Sequence, residues 1–355
     1  MNLHLIPSEK FTESFLELVE GYLGSKNNKV YIYNYGLDFA FKQRENVTFI
    51  DNFSKIDLDL LEKQDKIFVH GFGYFPLILF LYKNRYKFKH NQLVLIAWGG
   101  DIYDSRYLLM DHGIHLRTRI FEYLKKKVIS RCNVFMTFAY ADMEIIKKYY
   151  KGQGVQFDCL YPSNADIKLL DNLRMNPKKS NIVRILLGNS ATVTNKHIEA
   201  FGYLKHYADK NIEIICPLSY GNNDYRQEVI TVGKRIFGDK FIPILNYMSP
   251  EEYSELLNSV NIAVFNHNRQ QGTGNIEILA YLEKKLFICS DTTTWQHYVV
   301  RDKCRFFDTK KIQGMSFEDF CFFDNNDKTT NVMYFKKIWD INYIKSKWDN
   351  VLSYN

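Results

Sequence analysis

A run of ten polar or glycine residues, from Asn266 to Asn275, has the composition of a site for a diphosphate group. It follows an apolar strand pattern at 260–265 and leads into a helical pattern. Arg269 can hold two oxygens of a diphosphate with its planar guanidinium. The backbone amides of Gly272–Asn275 would lie at a helix N-terminus, which favours anions. We therefore interpret the run as a nucleotide-binding loop, whose contributing residues are Gln270, Gln271, Gly272, Thr273, Gly274 and Asn275.

Three further groups in the same half of the chain suit the same ligand. Gly188, Asn189 and Ser190 follow an apolar strand pattern and could hold phosphate oxygens, although an ordinary turn with a helix cap fits equally well. Tyr220 follows the next strand and could stack on a base or bind a phosphate, or lie in a plain loop. Glu277, expected in the first helical turn, could accept hydrogen bonds from ribose hydroxyls or simply complement the helix dipole.

The first half offers two candidates for a general base. His70 opens the sequence His-Gly-Phe-Gly, and Asp101 closes the sequence Trp-Gly-Gly-Asp, and both follow predicted strands. A carboxylate or an imidazole on such a loop can accept a proton from a substrate hydroxyl. The alternatives are a structural role for His70 and an N-cap role for Asp101 in a helix predicted at 103–110.

Short apolar runs alternate with longer helical patterns throughout. The predicted strands are 29–34, 47–50, 66–70, 92–98, 133–138, 181–187, 212–216, 241–243, 260–266 and 286–290. The predicted helices are 8–23, 74–86, 113–131, 140–150, 195–208, 223–237, 250–259 and 273–283. The rhythm predicts an α/β fold with two doubly wound, Rossmann-like domains facing a central cleft, where ligands bind beyond the carboxyl ends of the strands.

The length and composition of the chain predict its domain boundaries and the broad class of protein to which it belongs. For 355 residues we predict domains at 1–170 and 181–325, a linker in the polar stretch 166–180, and a helical tail at 326–355 that can cross back to the first domain. The net charge of +7 fits an anionic partner but is too dispersed to indicate nucleic acid. Dinucleotide, P-loop, zinc-protease and hydrolase motifs are missing from the sequence, which argues against those enzyme classes.

The predicted helix at 113–131 combines positive and apolar residues. Its basic residues are Arg117, Arg119, Lys125, Lys126 and Lys127. Such a helix can lie on an anionic membrane surface, and a solvated basic face is the commoner alternative. We recognise no signal peptide and no apolar run of the length that spans a bilayer, so we expect a cytoplasmic protein with peripheral membrane contact.

Taken together and in this order, these segments resemble one family, the TDP-4-acetamido-4,6-dideoxygalactose (Fuc4NAc):lipid II transferases of glycosyltransferase family 56. The resemblance runs from about Lys66 to Gln296 and is carried by His70-Gly71 with Pro76, Trp98 to Tyr103, Gly188 to Ser190, the loop from Pro217 to Asn222 and, above all, Arg269 to Gly274. It implies a metal-independent GT-B hexosyltransferase without a cofactor, whose C-terminal domain holds the nucleotide-sugar donor. It also implies a polyprenyl-diphosphate-linked saccharide acceptor, bound by the N-terminal domain at the inner membrane face.

The residues therefore lead to one main hypothesis and two rivals. The main hypothesis is a glycosyltransferase that moves a deoxy-amino sugar to a lipid-linked acceptor, with Arg269 and neighbouring amides stabilising the departing diphosphate and Asp101, or else His70, as the base. The first rival is a nucleotide-sugar epimerase of GT-B shape, which needs no acceptor. The second is a non-catalytic protein that binds sugar nucleotides.

Overall fold

The computed structural model describes residues 1–33, 39, 41–103, 116–177 and 180–354. The chain divides into two compact units, the first formed by Met1–Asn164 with Ile338–Asn355 and the second by Ala165–Lys337. The C-terminal helix thus belongs to the first unit, where the Trp348 indole N–H donates to the Leu160 carbonyl at 2.8 Å.

Each unit contains one parallel sheet. The strands of the first are β1 (Asn2–Pro7), β2 (Asn28–Tyr33), β3 (Val47–Ile50), β4 (Lys66–His70), β5 (Leu93–Ala97), β6 (Val134–Thr137) and β7 (Val155–Asp158), in the order β3-β2-β1-β4-β5-β6-β7. The strands of the second are β8 (Val183–Leu187), β9 (Ile212–Pro217), β10 (Phe241–Ile244), β11 (Ile262–Phe265), β12 (Lys285–Ile288) and β13 (Phe307–Asp308), in the order β10-β9-β8-β11-β12-β13. The pairings are parallel in both sheets, which confirms the prediction of two doubly wound Rossmann-like folds.

The helices fill the connections between the strands. They are α1 (Thr12–Leu18), α2 (Leu58–Glu62), α3 (Phe75–Asn84), α4 (Leu116–Ile129), α5 (Asp142–Ile145), α6 (Ile167–Met175), α7 (His197–Leu204), α8 (Asn223–Phe237), α9 (Pro250–Ser259), α10 (Thr273–Tyr281), α11 (Thr293–Trp295), α12 (Phe317–Cys321), α13 (Asn325–Trp339) and α14 (Ile341–Leu352). Short 3-10 segments lie at Phe53–Lys55, Val193–Asn195, Lys205–Tyr207, Gly238–Lys240 and Thr309–Gly314, and π-helical turns at Val19–Leu23, Ile146–Tyr150 and Gln296–Arg301.

The central strands are buried on both faces, as their unbroken apolar sequences require. In β5, Leu93 and Leu95 pack into the core on one face of the first sheet, while Val94 and Ile96 pack into the core on the other. The predicted N-terminus of α9 is also confirmed, because Ser249 and Glu252 each accept a hydrogen bond from the backbone N–H of the other.

The predicted linker at 166–180 is wrong for most of its length. Residues 167–175 form the helix α6, and the Asp166 carboxylate accepts hydrogen bonds from the N–H groups of Lys168 and Leu169 at its start. Leu170 of this helix is fully buried. The segment was mistaken for a linker because most of its residues are polar and only a narrow face of the helix is apolar.

Candidate active site

Three loops meet at the carboxyl edge of the second sheet. The side chain of Gln271 joins two of them, since its Nε2 donates to Asn189 Oδ1 at 3.2 Å and its Oε1 accepts from Thr194 Oγ1 at 2.6 Å. Asn189 also reaches the third loop, because its Nδ2 donates to the Tyr220 hydroxyl at 3.1 Å. The structure therefore brings Asn189, Tyr220 and Gln271 together, as expected for loops at one edge of a parallel sheet.

Two glycines of this edge adopt a backbone conformation that other residues rarely take. Gly188 has φ +69° and Gly272 has φ +64°. A Cβ on Gly188 would lie 2.5 Å from Nε2 of His197, and a Cβ on Gly272 would lie 3.2 Å from Cε1 of His267. Both loops consequently depend on glycine, and the backbone of Gly188 is held in place by its N–H bond to the Val264 carbonyl.

Arg269 is partly exposed in the loop that follows β11. Its Nη1 donates to the Gln270 carbonyl at 3.1 Å, and no carboxylate in the described part of the chain lies within ion-pair distance of its guanidinium. Burial, together with the nearby charge of Arg269, lowers the pKa of His267 to about 3. The loop thus combines an uncompensated positive charge with the start of α10 at Thr273, which is an arrangement that attracts an anion.

The other predicted donor-side residues have varied environments. Ser190 is buried, and its hydroxyl lies 3.0 Å from the Thr192 hydroxyl within the turn. Gln270 is buried, whereas Gly274 is exposed. Asn275 donates through Nδ2 to the Tyr253 hydroxyl at 2.8 Å. The assignments of Ser190, Gln270, Thr273, Gly274 and Asn275 to nucleotide binding stay predictions.

Glu277 lies in the second turn of α10, because the helix begins at Thr273. The prediction that it occupies the first turn is wrong, and complementation of the dipole there does not account for it. Its carboxylate accepts a hydrogen bond from the Tyr298 hydroxyl at 2.9 Å. Burial, with the charge of Glu277 as a smaller cause, raises the pKa of Tyr298, so this hydroxyl remains a donor. A ribose contact of Glu277 stays a prediction.

Asp101 joins the two predicted loops of the first unit. Its carboxylate accepts hydrogen bonds from the backbone N–H of Trp98 at 3.0 Å and from that of Phe72 at 3.1 Å. Asp101 is nearly buried and lies in a helical turn at 100–103, while residues 104–110 of the predicted helix lie outside the described residues. The loop after β4 and the loop after β5 are therefore held together by the side chain that we predicted as the base.

His70, the other candidate base, is the last residue of β4, and its side chain is fully buried. One ring nitrogen, Nδ1, is hydrogen-bonded to the Tyr161 hydroxyl, and Nε2 lies 3.0 Å from Nδ1 of His4. Burial, with a smaller contribution from His4, lowers the pKa of His70. This burial fits the structural alternative for His70, and the choice between Asp101 and His70 as the base stays a prediction.

A family model described as "4-alpha-L-fucosyltransferase glycosyl transferase group 56" matches residues 54–352 of the chain. The chain belongs to glycosyltransferase family 56. The match extends beyond both ends of the region that carried the resemblance, and it decides for a glycosyltransferase over the epimerase and the non-catalytic binding protein.

Solved structures show the fold class of this family 56 glycosyltransferase. The chain is similar to WaaG, a glycosyltransferase involved in lipopolysaccharide biosynthesis, with 10% identity, a TM-score of 0.59 and 100% of both chains covered. A glycosyltransferase from Rickettsia africae ESF-5 gives 10% identity and a TM-score of 0.63, covering 100% of this chain and 99% of that one. Sucrose-phosphate synthase from Thermosynechococcus elongatus gives 8% identity and a TM-score of 0.68, covering 99% of this chain and 98% of that one. These likenesses confirm the GT-B fold class.

Tyr247 is an aromatic residue of the glycosyltransferase that we did not predict as part of the site. Tyr247 follows β10, its side chain is 79% exposed, and its ring is nearly parallel to that of Tyr220, at 17° and with the ring centroids 6.3 Å apart. The sequence contained a signal for this residue, because Tyr220 and Tyr247 each follow a predicted strand, and the two strands are neighbours in the sheet. An exposed tyrosine pair at a strand edge can present a flat surface to a planar ring.

The basic helix of the glycosyltransferase is α4. Arg117, Arg119 and Lys127 are exposed and Lys126 is partly exposed, as a surface contact requires. Lys125 is fully buried, pairs with the Glu122 carboxylate at 2.8 Å and donates to the Asp101 carbonyl at 2.8 Å. The prediction that Lys125 contacts a membrane is therefore wrong, because it lies on the inward face of the helix.

The same helix also exposes apolar side chains, namely those of Leu116, Ile120 and Tyr123. In the part of the chain that the structure describes, no helix is both long and apolar enough to cross a bilayer.

Proposed function

We propose that this glycosyltransferase moves a Fuc4NAc-like deoxy-amino sugar from a TDP-sugar to a polyprenyl-diphosphate-linked saccharide, in the synthesis of a bacterial surface polysaccharide. The observation that carries the donor side is the guanidinium of Arg269, which has no carboxylate partner among the described residues and lies in the loop before the N-terminus of α10. A diphosphate supplies a negatively charged partner for this guanidinium.

In the transfer, the bond between the sugar carbon C1 and the β-phosphate oxygen breaks, and a bond forms between C1 and the acceptor oxygen. Negative charge develops on the departing diphosphate, where Arg269 and the amide of Gly272 stabilise it. Asp101 takes the proton of the acceptor hydroxyl if the reaction inverts the anomeric centre. Tyr220 and Tyr247 stack on the base of the donor nucleotide.

The acceptor is proposed to be lipid-linked because α4 presents both kinds of side chain that a membrane surface attracts. Its exposed arginines and lysine suit anionic headgroups, and Leu116, Ile120 and Tyr123 suit the boundary with the acyl chains. We therefore place the enzyme at the cytoplasmic face of the membrane, held there by peripheral contact.

A thermal-shift screen with TDP, UDP, GDP and CMP tests the donor. We expect TDP to raise the melting temperature most, since binding to the native state stabilises it. Equal or absent shifts with all four nucleotides would refute the proposed donor.

Flotation with vesicles containing 30% phosphatidylglycerol tests the membrane contact. The double variant Arg117→Glu/Lys127→Glu should lose most of its vesicle binding, whereas Lys26→Glu/Lys63→Glu, with the same charge change on other exposed residues of the first unit, should keep it. Equal losses in the two variants would contradict the role of α4.

A further inference from the structure

A chain of hydrogen bonds runs through the interior of the first unit. Asn28 Oδ1 lies 3.2 Å from Nε2 of His4, and His4 Nδ1 lies 3.0 Å from Nε2 of His70. The other nitrogen of His70 is bonded to the Tyr161 hydroxyl, and Trp98 Nε1 donates to the same hydroxyl at 3.3 Å. We call these five residues the histidine relay. It connects the start of β2, at the amino edge of the sheet, to the residue that follows β5, at the carboxyl edge.

The partners of the histidine relay assign every proton along it. Asn28 uses its Nδ2 to donate to the carbonyls of Leu23 and Gly24, so its Oδ1 accepts from Nε2–H of His4. Nδ1 of His4 is then an acceptor and receives Nε2–H of His70. Both imidazoles are neutral in this arrangement. Protonation of His4 would place its Nδ1–H against the Nε2–H of His70, and protonation of His70 would place its Nδ1–H against the Tyr161 O–H.

At the other end, Nδ1 of His70 is an acceptor and receives the Tyr161 O–H, leaving the oxygen of Tyr161 to accept from Trp98 Nε1–H. Burial raises the pKa of Tyr161, so the hydroxyl stays protonated and keeps donating. The ring of Trp348, from the C-terminal helix α14, stacks on His70 and on Tyr161 with centroids 6.1 Å away in each case. The orientation of the Trp98 indole is thus fixed by its hydrogen bond to Tyr161, which is itself held by His70 and by the ring of Trp348.

Trp98 is hydrogen-bonded to the candidate base through its backbone. Its own backbone N–H donates to the Asp101 carboxylate, and its ring lies against Gly71, where a Cβ would come within 3.3 Å of Trp98 Cε3. Gly71 has φ +70°, so the glycine after His70 serves both the turn and the close approach of the indole. Trp98 is partly exposed, and Phe11 packs edge-on against it.

We propose that Trp98 is the platform for a sugar ring of the acceptor, and that Tyr161, His70 and His4 are positioning residues that hold its indole in place. A sugar presents apolar C–H groups on one face of its ring, and an indole is the largest rigid apolar surface a side chain offers to it. Asp101 accepts a hydrogen bond from the backbone of the same residue, so a fixed indole would orient the acceptor relative to the base. The inference rests on the proposed function, because it assumes an acceptor saccharide in the first unit.

The kinetic test compares Tyr161→Phe with Gln92→Met. Gln92 precedes the same strand β5 at the opposite edge, where its buried Nε2 donates to the carbonyls of Leu61 and Gln64, so its loss also costs hydrogen bonds in this unit. With farnesyl-diphosphate-linked N-acetylglucosamine as the probe acceptor, we expect Tyr161→Phe to raise the acceptor KM about three- to tenfold while the donor KM stays unchanged. Gln92→Met should change neither KM. Equal acceptor KM values for the two variants would overturn the proposal.

A second readout does not depend on turnover. The sequence contains four tryptophans. A 1H–15N correlation spectrum of the protein labelled at the indole nitrogens gives one signal for each of them, and the signal that disappears in Trp98→Phe belongs to Trp98. Tyr161→Phe and His70→Phe should both shift the Trp98 signal and leave that of Trp295, in the second unit, in place. Addition of the probe acceptor should also shift the Trp98 signal. A Trp98 signal whose chemical shift does not change in His70→Phe, or on addition of the acceptor, would overturn the proposal.

The two readouts separate this proposal from the proposed function. If the wild-type enzyme binds TDP and transfers sugar but Tyr161→Phe behaves as Gln92→Met does, only the acceptor platform is refuted. If the wild-type enzyme transfers nothing to any lipid-linked saccharide, the proposed function fails and the platform fails with it.

Discussion

The side-chain amide of Gln271 donates to Oδ1 of Asn189 at 3.2 Å, although 82 positions separate the two residues in the sequence. The same amide accepts from Thr194, so a single side chain ties the loop after β8 to the loop after β11. Arg269 and Gly272 flank Gln271 closely in the sequence. The geometry of the proposed diphosphate site therefore depends on a residue that need not touch the ligand.

Replacing Gln271 by Met keeps the size of the side chain and removes both hydrogen bonds. We expect the affinity for TDP, measured by calorimetry, to fall about ten- to thirtyfold, because each of the two lost bonds is worth roughly 1 kcal/mol. The control is Gln227→Met on the exposed side of α8, which should bind TDP as the wild-type protein does. Unchanged affinity in Gln271→Met would show that the tie between the loops does not shape the site.

Gly188→Ala and Gly202→Ala should change stability in opposite directions. The first adds a Cβ 2.5 Å from His197 Nε2 at φ +69°, which should lower the free energy of unfolding by roughly 1–3 kcal/mol. The second adds a Cβ to α7 with no atom within 4 Å, which should raise it by about 0.5–1 kcal/mol. Urea unfolding of both variants checks the pair, and a gain in stability for Gly188→Ala would contradict the described packing.

Four buried histidines predict a loss of stability in mild acid. Burial lowers the pKa of His4 to about 4 and those of His197 and His267 to about 3, and it lowers that of His70 as well. The unfolded chain therefore binds these protons first, near pH 6.5. Their contribution to stability is complete above that pH and declines as the pH falls from 6.5 towards 4, by about 1.4 kcal/mol per pH unit for each group.

Unfolding free energies at pH 7.5, 6.0 and 5.0 measure this decline. His197→Gln should reduce the slope by about one proton, since it removes one of the four groups. A free energy that does not change between pH 7.5 and 5.0 would contradict the burial of these rings.

Tyr247→Ala should weaken TDP binding about tenfold, because stacking of a base on an aromatic ring is typically worth about 1–3 kcal/mol. Tyr247→Phe keeps the ring and should bind TDP normally. If the alanine variant also bound normally, the base would lie elsewhere on this edge.

Parallel strands were predictable where apolar residues run without interruption. Leu93–Ala97 illustrates this, since burial on both faces leaves no polar position in the strand. Three strands were missed. The central strand β1 has the polar residues Asn2 and His4 among its apolar ones, and the strands β7 and β13, at the ends of their sheets, are brief and only partly buried. Position in a sheet is decided by tertiary pairing that a local pattern does not contain.

The donor-side loops were predictable for a similar reason, while the interior of the first unit was not. Glycine and polar residues after buried strands indicate a site without knowledge of contacts, as at Gly188 and Arg269. His4 and Tyr161 carry no such signal, because His4 meets His70 only when β1 pairs with β4, and Tyr161 lies in the segment after β7. Lys125 shows the converse, because Glu122 and a carbonyl neutralise its charge inside the fold, where a charge pattern alone predicts exposure.

The role of Arg269 is measured by transfer from TDP-Fuc4NAc to lipid-linked saccharides of a bacterial membrane extract, with release of TDP as the readout. We expect turnover by the wild-type enzyme and a loss of about 10²–10³ in kcat/KM for Arg269→Ala, since the departing diphosphate loses its guanidinium. Arg235→Ala, on an exposed position of α8, serves as a control for loss of an arginine in the same unit. Undiminished transfer by Arg269→Ala would contradict the role of the guanidinium.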